Sequence, residues 1–239
     1  MKKTVCFVCL VGIISASNAW AALIQPNLSG SVSYDGWVDM TITNYDQSDF
    51  GGSFPGASPW VAPLAANQLN SSGATFNKVS GLGYVATVSV YSPFSPTPYE
   101  ITSTTLTYDV DTVIFQIDTG PGTGNLWFTS VPTLSYNGGT QQLAADFTNT
   151  SAGSYPFTNP VDVTQTGTTT IFQYQWDLST ISNVNDYTIN YTTAPHSQNY
   201  EMQLDSGDTF VQVVPEPGTA GLLGAALFIL TALRRFRRA

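Results

Sequence analysis

Alternation of apolar and polar residues is the main pattern between residues 23 and 214. The clearest runs are rich in aromatic and β-branched side chains, and Gly, Pro, Asn or Asp residues separate them; they include 84–91, 106–110, 113–117, 170–176 and 187–191. A period of two residues places alternate side chains on opposite faces of a strand. The pattern therefore predicts an all-β body of eight to eleven antiparallel strands.

The spacing of these runs is uneven, and no helical apolar period stands out inside the body apart from a short turn around 64–69. Uneven antiparallel strands favour a two-sheet sandwich, jelly-roll-like, over a closed barrel. The run Asp205-Ser206-Gly207-Asp208 predicts a hairpin turn, because Gly207 can adopt a positive φ without steric cost.

Residues 46–78 differ from the rest of the body, since Gly, Pro, Ser and Asn dominate around Phe50, Phe54 and Trp60. A long loop in a compact domain is uncommon and often functional. Two interpretations follow: the aromatic side chains pin a surface loop to the sandwich, or they contact a ligand.

The N-terminus has the layout of a secretory signal peptide. Lys2 and Lys3 precede an apolar run over 5–14, and the segment ends in small residues that predict cleavage after Ala21. Cys6 and Cys9, the two cysteines of the chain, lie inside this segment. The mature protein is therefore expected to lack disulfides, thiolate catalysis and cysteine-based zinc sites.

The C-terminus combines three features in a fixed order. They are Val214-Pro215-Glu216-Pro217, an apolar stretch over 218–233, and the cluster Arg234, Arg235, Arg237 and Arg238. As a helix the stretch would reach about 24 Å, a marginal span for a hydrocarbon layer of about 30 Å. Because arginines stop at the cytoplasmic side, they predict a membrane stop that leaves the body outside the inner membrane.

This arrangement resembles the PEP-CTERM sorting signal, the tag that exosortases process in Gram-negative bacteria that make extracellular polysaccharide. The resemblance implies export by the general secretory machinery, transient anchoring in the inner membrane, cleavage near Pro215 to Pro217, and delivery to the cell surface or exopolysaccharide matrix. It divides the chain into a signal peptide (1–21), a β-sandwich body (22–213) and a sorting signal (214–239). It implies nothing about the chemistry of the body.

Charge excludes one class of function. Only 10% of residues are charged, and the body carries Lys78 against 15 acidic residues, a formal charge of −14. A protein that binds nucleic acid neutralises phosphates with clustered Lys and Arg. No nucleic-acid partner is therefore predicted.

Catalytic chemistry has little support in the sequence. His196 is the sole histidine and no Gly-x-Ser-x-Gly motif accompanies it, which disfavours a Ser-His-Asp hydrolase. Glu100 and Glu201 are the glutamates outside the tag, and a carboxylate pair about 5 to 9 Å apart could cleave a glycosidic bond. The chain is nonetheless predicted not to be an enzyme.

Candidate ligand contacts come from aspartates and aromatic side chains. No cofactor is predicted, but Asp109 and Asp111, placed on one strand face, are the candidate ligands for calcium. Trp60 and Trp176 are the candidate ligand-contacting residues. The stripe Phe172, Tyr174 and Trp176 favours core packing, with stacking on sugar rings as the alternative.

These observations predict an exported cell-surface or exopolysaccharide-matrix protein with a structural or adhesive body. The alternative is a lectin-like module that holds polysaccharide, with or without calcium. A secreted glycan-active enzyme is the least favoured hypothesis.

Overall fold

The structure is a computed structural model that describes residues 23–50, 52, 54, 56–104, 106–158, 163–164 and 166–214. Thirteen β-strands and two short 3-10 helices, Gln47–Phe50 and Thr123–Asn125, lie among these residues. The predicted all-β class is confirmed. The predicted signal peptide and, apart from Val214, the predicted sorting signal lie outside the described residues. Within the described ranges, we find no helix with the length and apolarity needed to span a membrane.

The strands form two antiparallel sheets, with strands numbered in chain order. The seven-stranded sheet has the order β10 (Phe147–Thr158), β11 (Thr166–Asp177), β7 (Thr112–Gly120), β13 (Gln198–Gly207), β5 (Val90–Tyr91) and β4 (Tyr84–Val85), with β1 (Val32–Trp37) also paired to β13. The six-stranded sheet has the order β2 (Leu64–Ala65), β3 (Thr75–Lys78), β6 (Thr97–Ser103), β12 (Tyr187–Thr193), β8 (Phe128–Tyr136) and β9 (Leu143–Ala144).

Aromatic rings from both sheets meet in one core. On β12, Tyr187, Ile189 and Tyr191 are buried at every second position, as a strand with one core-facing side requires. The Tyr191 ring lies 5.8 Å from the Phe115 ring of β7 and 5.7 Å from the Tyr99 ring of β6. The core therefore joins side chains of the two sheets.

The predicted stripe on β11 belongs to this core. Tyr174 and Trp176 are buried and Phe172 is half-buried. Trp176 stacks on Tyr174 at 6.3 Å, and its Nε1 donates a hydrogen bond to the Leu143 carbonyl at 2.9 Å. The core-packing interpretation of the stripe is confirmed.

The outer face of the seven-stranded sheet carries buried amide side chains because both ends of the body cross it. Gln116 on β7 accepts a hydrogen bond from the Ile24 amide at 2.9 Å and donates one to the Ile24 carbonyl at 2.7 Å. Gln175 on β11 binds backbone groups of residues 211–214 in the same way. The first and last described segments therefore lie on one face of one sheet.

Three local predictions were wrong. The alternating run 84–91 is not one strand, because the chain turns at residues 86–89 and forms the two short strands β4 and β5. Asp205 and Ser206 do not form a hairpin turn, since β13 continues to Gly207 and is paired on both sides, with β1 and β7. Residues 106–110 are not a strand. The count of thirteen strands in the described residues exceeds the predicted eight to eleven because β2, β4, β5 and β9 have two residues each, and β4 and β5 divide the run 84–91 between them.

Candidate functional site: an exposed strip of aromatic side chains

Five aromatic side chains form a continuous strip at the β4 end of the seven-stranded sheet. We define the aromatic strip as Phe54, Tyr84, Tyr91, His196 and Phe94, each ring contacting the next. The successive ring-centroid distances are 4.9, 5.8, 6.0 and 5.8 Å.

The β4–β5 hairpin sets the middle of the strip. Tyr84 pairs with Tyr91 and Val85 pairs with Val90, and the connecting turn closes with a backbone hydrogen bond between residues 86 and 89. Val85 and Val90 are buried in the core. Because side chains alternate along a strand, Tyr84 and Tyr91 point the other way and lie side by side.

Two turns supply the other end. Phe94 and His196 both have positive φ, 38° and 67°, a conformation that costs bulky residues free energy and is concentrated at functional sites. The His196 amide donates to the Ser92 carbonyl at 2.5 Å, and the Tyr91 hydroxyl lies 2.5 Å from His196 Nδ1. These contacts hold the His196 ring against Tyr91.

The strip is accessible to solvent. Phe94 is 71% exposed and Phe54 is 50% exposed, while Tyr84, Tyr91 and His196 are half-buried. Burial, and then the neighbouring Tyr84, raises the pKa of Tyr91, so its hydroxyl keeps its proton at neutral pH. The combination offers apolar ring faces beside polar atoms.

A cavity of about 270 Å³ adjoins the Phe54 end of the strip. Its lining includes Phe50, Phe54, Tyr84 and Thr87. A recess lined by aromatic side chains with a few polar groups is the usual form of a small-molecule site.

The segment predicted as a long loop divides its aromatic side chains between two roles. Phe50 and Trp60 are buried and contact each other at 5.1 Å, as expected if they pin the segment to the sandwich. Phe54 is exposed and joins the strip. The segment is shorter than predicted, since residues 46–78 include β2 and β3.

The predicted contact residues Trp60 and Trp176 are not at the surface. Trp60 is 4% exposed and Trp176 is fully buried. Neither ring presents a face to solvent, because each fills space between the two sheets. The assignment of a ligand contact to these two tryptophans therefore disagrees with their burial.

Asp109 and Asp111 do not share a strand face, because residues 106–111 form no strand. The Asp109 carboxylate accepts hydrogen bonds from the backbone amides of Asn183 at 2.8 Å and Val184 at 2.6 Å. Partial burial, and then the charge of Asp109, raises the pKa of Asp111. In the described part of the chain, no group of three or more His, Cys, Asp or Glu residues is arranged to hold a metal ion.

The two glutamates weighed as a possible carboxylate pair lie on different sheets. Glu100 lies on the outer face of the six-stranded sheet, where it accepts a hydrogen bond from Asn77 at 3.2 Å. Glu201 lies on β13, next to the buried Met202, and so faces away from the core on the other sheet. The core separates the two glutamates. The His196 ring contacts the Tyr91 and Phe94 rings of the strip.

The strip has no continuous signature in the sequence, because its five residues come from three separated parts of the chain. The alternation over 84–91 indicated one continuous strand, whereas the structure turns the chain at residues 86–89 and so sets Tyr84 opposite Tyr91. The contributions of Phe54, Phe94 and His196 depend on tertiary packing.

Of the predicted sorting motif, only Val214 is among the described residues, and it is 3% exposed. Pro215, Glu216, Pro217 and the four arginines lie outside them. No protein-family model, curated protein or solved structure matches this chain.

Proposed function

We propose that this chain is an exported cell-surface or matrix protein whose body binds neutral polysaccharide through the aromatic strip. The observation that carries the proposal is five contiguous aromatic rings, two of them at least half exposed, held at a sheet edge by a hairpin and two strained turns.

The chemistry of the strip suits a sugar chain. Aromatic faces provide apolar contact area at a low entropic cost, and the apolar faces of sugar rings can pack on them. The hydroxyls of Tyr84 and Tyr91 and the His196 ring can exchange hydrogen bonds with sugar hydroxyls. Gln198, paired with Tyr91 across β5 and β13, adds an amide at the same edge.

Charge limits the class of polysaccharide. The body has a formal charge of −14 and its single base, Lys78, is buried. An anionic chain would be repelled by this field and would find no exposed base in the described residues. The ligand is therefore an uncharged polysaccharide, and no nucleic acid is a partner.

Export and sorting are supported by the two ends of the sequence. In this proposal residues 1–21 are the signal peptide, residues 218–233 are the membrane helix, and exosortase processes Val214 to Pro217. The proposal keeps a jelly-roll-like body, and the alternation of β6, β7 and β8 between the two sheets supports it. The proposal assigns the body no enzymatic activity; in its support, the core separates Glu100 from Glu201, so these two carboxylates do not form a catalytic pair.

The test is electrophoresis of the full chain in detergent through native gels that contain one polysaccharide each. The neutral probes are hydroxyethyl cellulose, galactomannan and dextran, and alginate is the anionic control. We expect retardation by at least one neutral probe. Phe94→Ala and Tyr84→Ala should each raise the dissociation constant about fivefold, the value of one aromatic contact of about 1 kcal/mol.

Val131→Ala is the matched control, since Val131 is an exposed apolar residue of β8 outside the strip. It should bind like the wild type. Migration unaffected by all three neutral probes, or retardation that survives both strip substitutions, would refute the proposal.

A further inference from the structure

Most strand edges of the two sheets are protected. The edge of β1 is covered by residues 67–72: the amides of Asn67 and Gln68 donate to the Gly36 carbonyl at 2.9 and 3.0 Å, and the Ser72 amide donates to the Tyr34 carbonyl at 2.8 Å. The edge strands β2, β4 and β9 have only two residues each. Short or covered edges do not recruit another strand.

Strand β10 has the longest unpaired edge in the described part of the chain; β9 also leaves residues 128–132 of β8 unpaired, but Pro132 interrupts that edge. Strand β10 is a twelve-residue strand at the end of the seven-stranded sheet, and among the described residues it pairs with β11 alone. Residues 147–152 keep a regular register with β11, and a bulge follows between Ala152 and Pro156. In an antiparallel edge strand, about half of the backbone N–H and C=O groups point away from the sheet. Residues 147–152 therefore present a straight row of such groups.

The composition of β10 gives this edge no electrostatic protection. None of its twelve residues is charged, although the body carries 15 acidic residues. Soluble proteins usually place charged residues, especially Lys, on exposed edges to prevent pairing with another chain. The one proline, Pro156, lies beyond the regular half.

We propose that residues 147–152 pair antiparallel with the same residues of a second copy, which joins two seven-stranded sheets into one sheet of fourteen strands. A dyad at Asn149 would set Asn149 opposite its own copy and Phe147 opposite Ser151 of the second copy. Asp146 would then face Ala152, so no two carboxylates meet. An isologous contact of this kind uses up the free edge of both copies, and assembly stops at a dimer.

Charge predicts how the dimer responds to salt. Two bodies of −14 repel each other at long range, and this repulsion is screened as ionic strength rises. Backbone hydrogen bonds between uncharged strands are not weakened by screening. The dimer should therefore strengthen with salt. It would also present two aromatic strips to one polysaccharide, which raises avidity.

Sedimentation velocity of the full chain in detergent tests the proposal, at about 0.05 M and about 0.5 M NaCl. We expect dimers whose dissociation constant falls at least about tenfold at the higher salt concentration. Thr150→Asp adds a charge at an exposed position on the edge and should give monomers. Thr188→Asp adds the same charge on the inner strand β12 and should leave the dimer intact.

Near-UV circular dichroism confirms that each variant is folded. A wild type that is monomeric at high salt and tens of micromolar protein would overturn the proposal. A Thr150→Asp variant that is folded and still as dimeric as the wild type would also overturn it. The two copies would then associate through their apolar terminal segments in the detergent micelle and not through β10.

Discussion

Gln175 holds the last segment of the body against the sheet. Its Oε1 accepts hydrogen bonds from the amides of Val213 at 2.9 Å and Val214 at 3.0 Å. Its Nε2 donates to the Val211 carbonyl at 2.7 Å and to Thr112 Oγ1 at 3.1 Å. The side chain is fully buried and uses four hydrogen bonds, so it fixes the chain directly before Pro215.

Gln175→Ala should destabilise the body by about 2 to 4 kcal/mol. Each hydrogen bond contributes about 1 kcal/mol net. Undocking the segment would also expose Val214, whose burial contributes about 1.5 kcal/mol or more. The destabilisation by Gln175→Ala cannot exceed the free energy that docking of residues 211–214 contributes. Once these residues detach from the sheet, their backbone groups bind water instead.

The assay is urea unfolding of the full chain in detergent, combined with hydrogen exchange of residues 208–214 read by mass spectrometry. The control is Gln142→Ala, a substitution of an exposed glutamine that should change stability by less than about 0.5 kcal/mol. If Gln175→Ala costs less than about 1 kcal/mol and leaves exchange of 208–214 unchanged, the docked segment does not depend on this amide.

Three further outcomes are expected. Trp176→Ala should cost about 3 to 5 kcal/mol in the same urea assay, since it removes a fully buried indole and leaves a cavity between the sheets; a cost below about 1 kcal/mol would place the ring outside the core. Burial, and then the charge of Asp35, raises the pKa of Asp205 from 3.8 to about 7 against the opposing hydrogen bond from Gln203. The stabilisation from protonated Asp205 is therefore complete below about pH 4 and is lost as pH rises through about 7. The free energy of unfolding of the wild type should fall by up to about 4 kcal/mol over this range, and Asp205→Asn should not show that fall. Equal pH profiles for variant and wild type would contradict this. Calcium or a chelator should shift the melting temperature by less than about 1 °C, because the Asp109 carboxylate is already bound to two backbone amides; a saturable rise with calcium would indicate a site.

Alternation in the sequence predicted strands correctly where the strand has one face on the core. Residues 170–176 and 187–191 lie within β11 and β12. Residues 106–110 alternate in the same way but form no strand, since the Asp109 carboxylate holds the amides of Asn183 and Val184. A side chain that binds backbone groups 74 residues away leaves no local trace in the sequence.

The position of Asp205 shows the reverse effect. Asp, Ser and Gly favour a turn locally, but pairing with β1 and β7 on both sides keeps Asp205 to Gly207 extended. Backbone hydrogen bonds to two neighbouring strands outweigh a turn preference of about 1 kcal/mol or less. The pairing of β13 with β1 and β7 depends on residues far away in the sequence, which a short window does not contain.

The assignment of aromatic side chains to core or surface was the least predictable part of the site. Trp60, Trp176 and Tyr84 all occur among alternating or loop residues, yet only Tyr84 reaches the surface. A period of two tells which side chains share a face, but not which face the second sheet covers. The strip depends on that choice and on two turns with positive φ at Phe94 and His196.

The central claim is that polysaccharide contacts the strip and not the buried tryptophans. Aromatic NMR spectra of the full chain in detergent, titrated with oligosaccharides of the neutral polymer that retards it most, test this claim directly. The ring signals of Tyr84, Tyr91 and Phe94 should shift in a saturable way while those of Trp60 and Trp176 stay in place. Saturable shifts of the tryptophan signals with an unchanged strip would contradict the account.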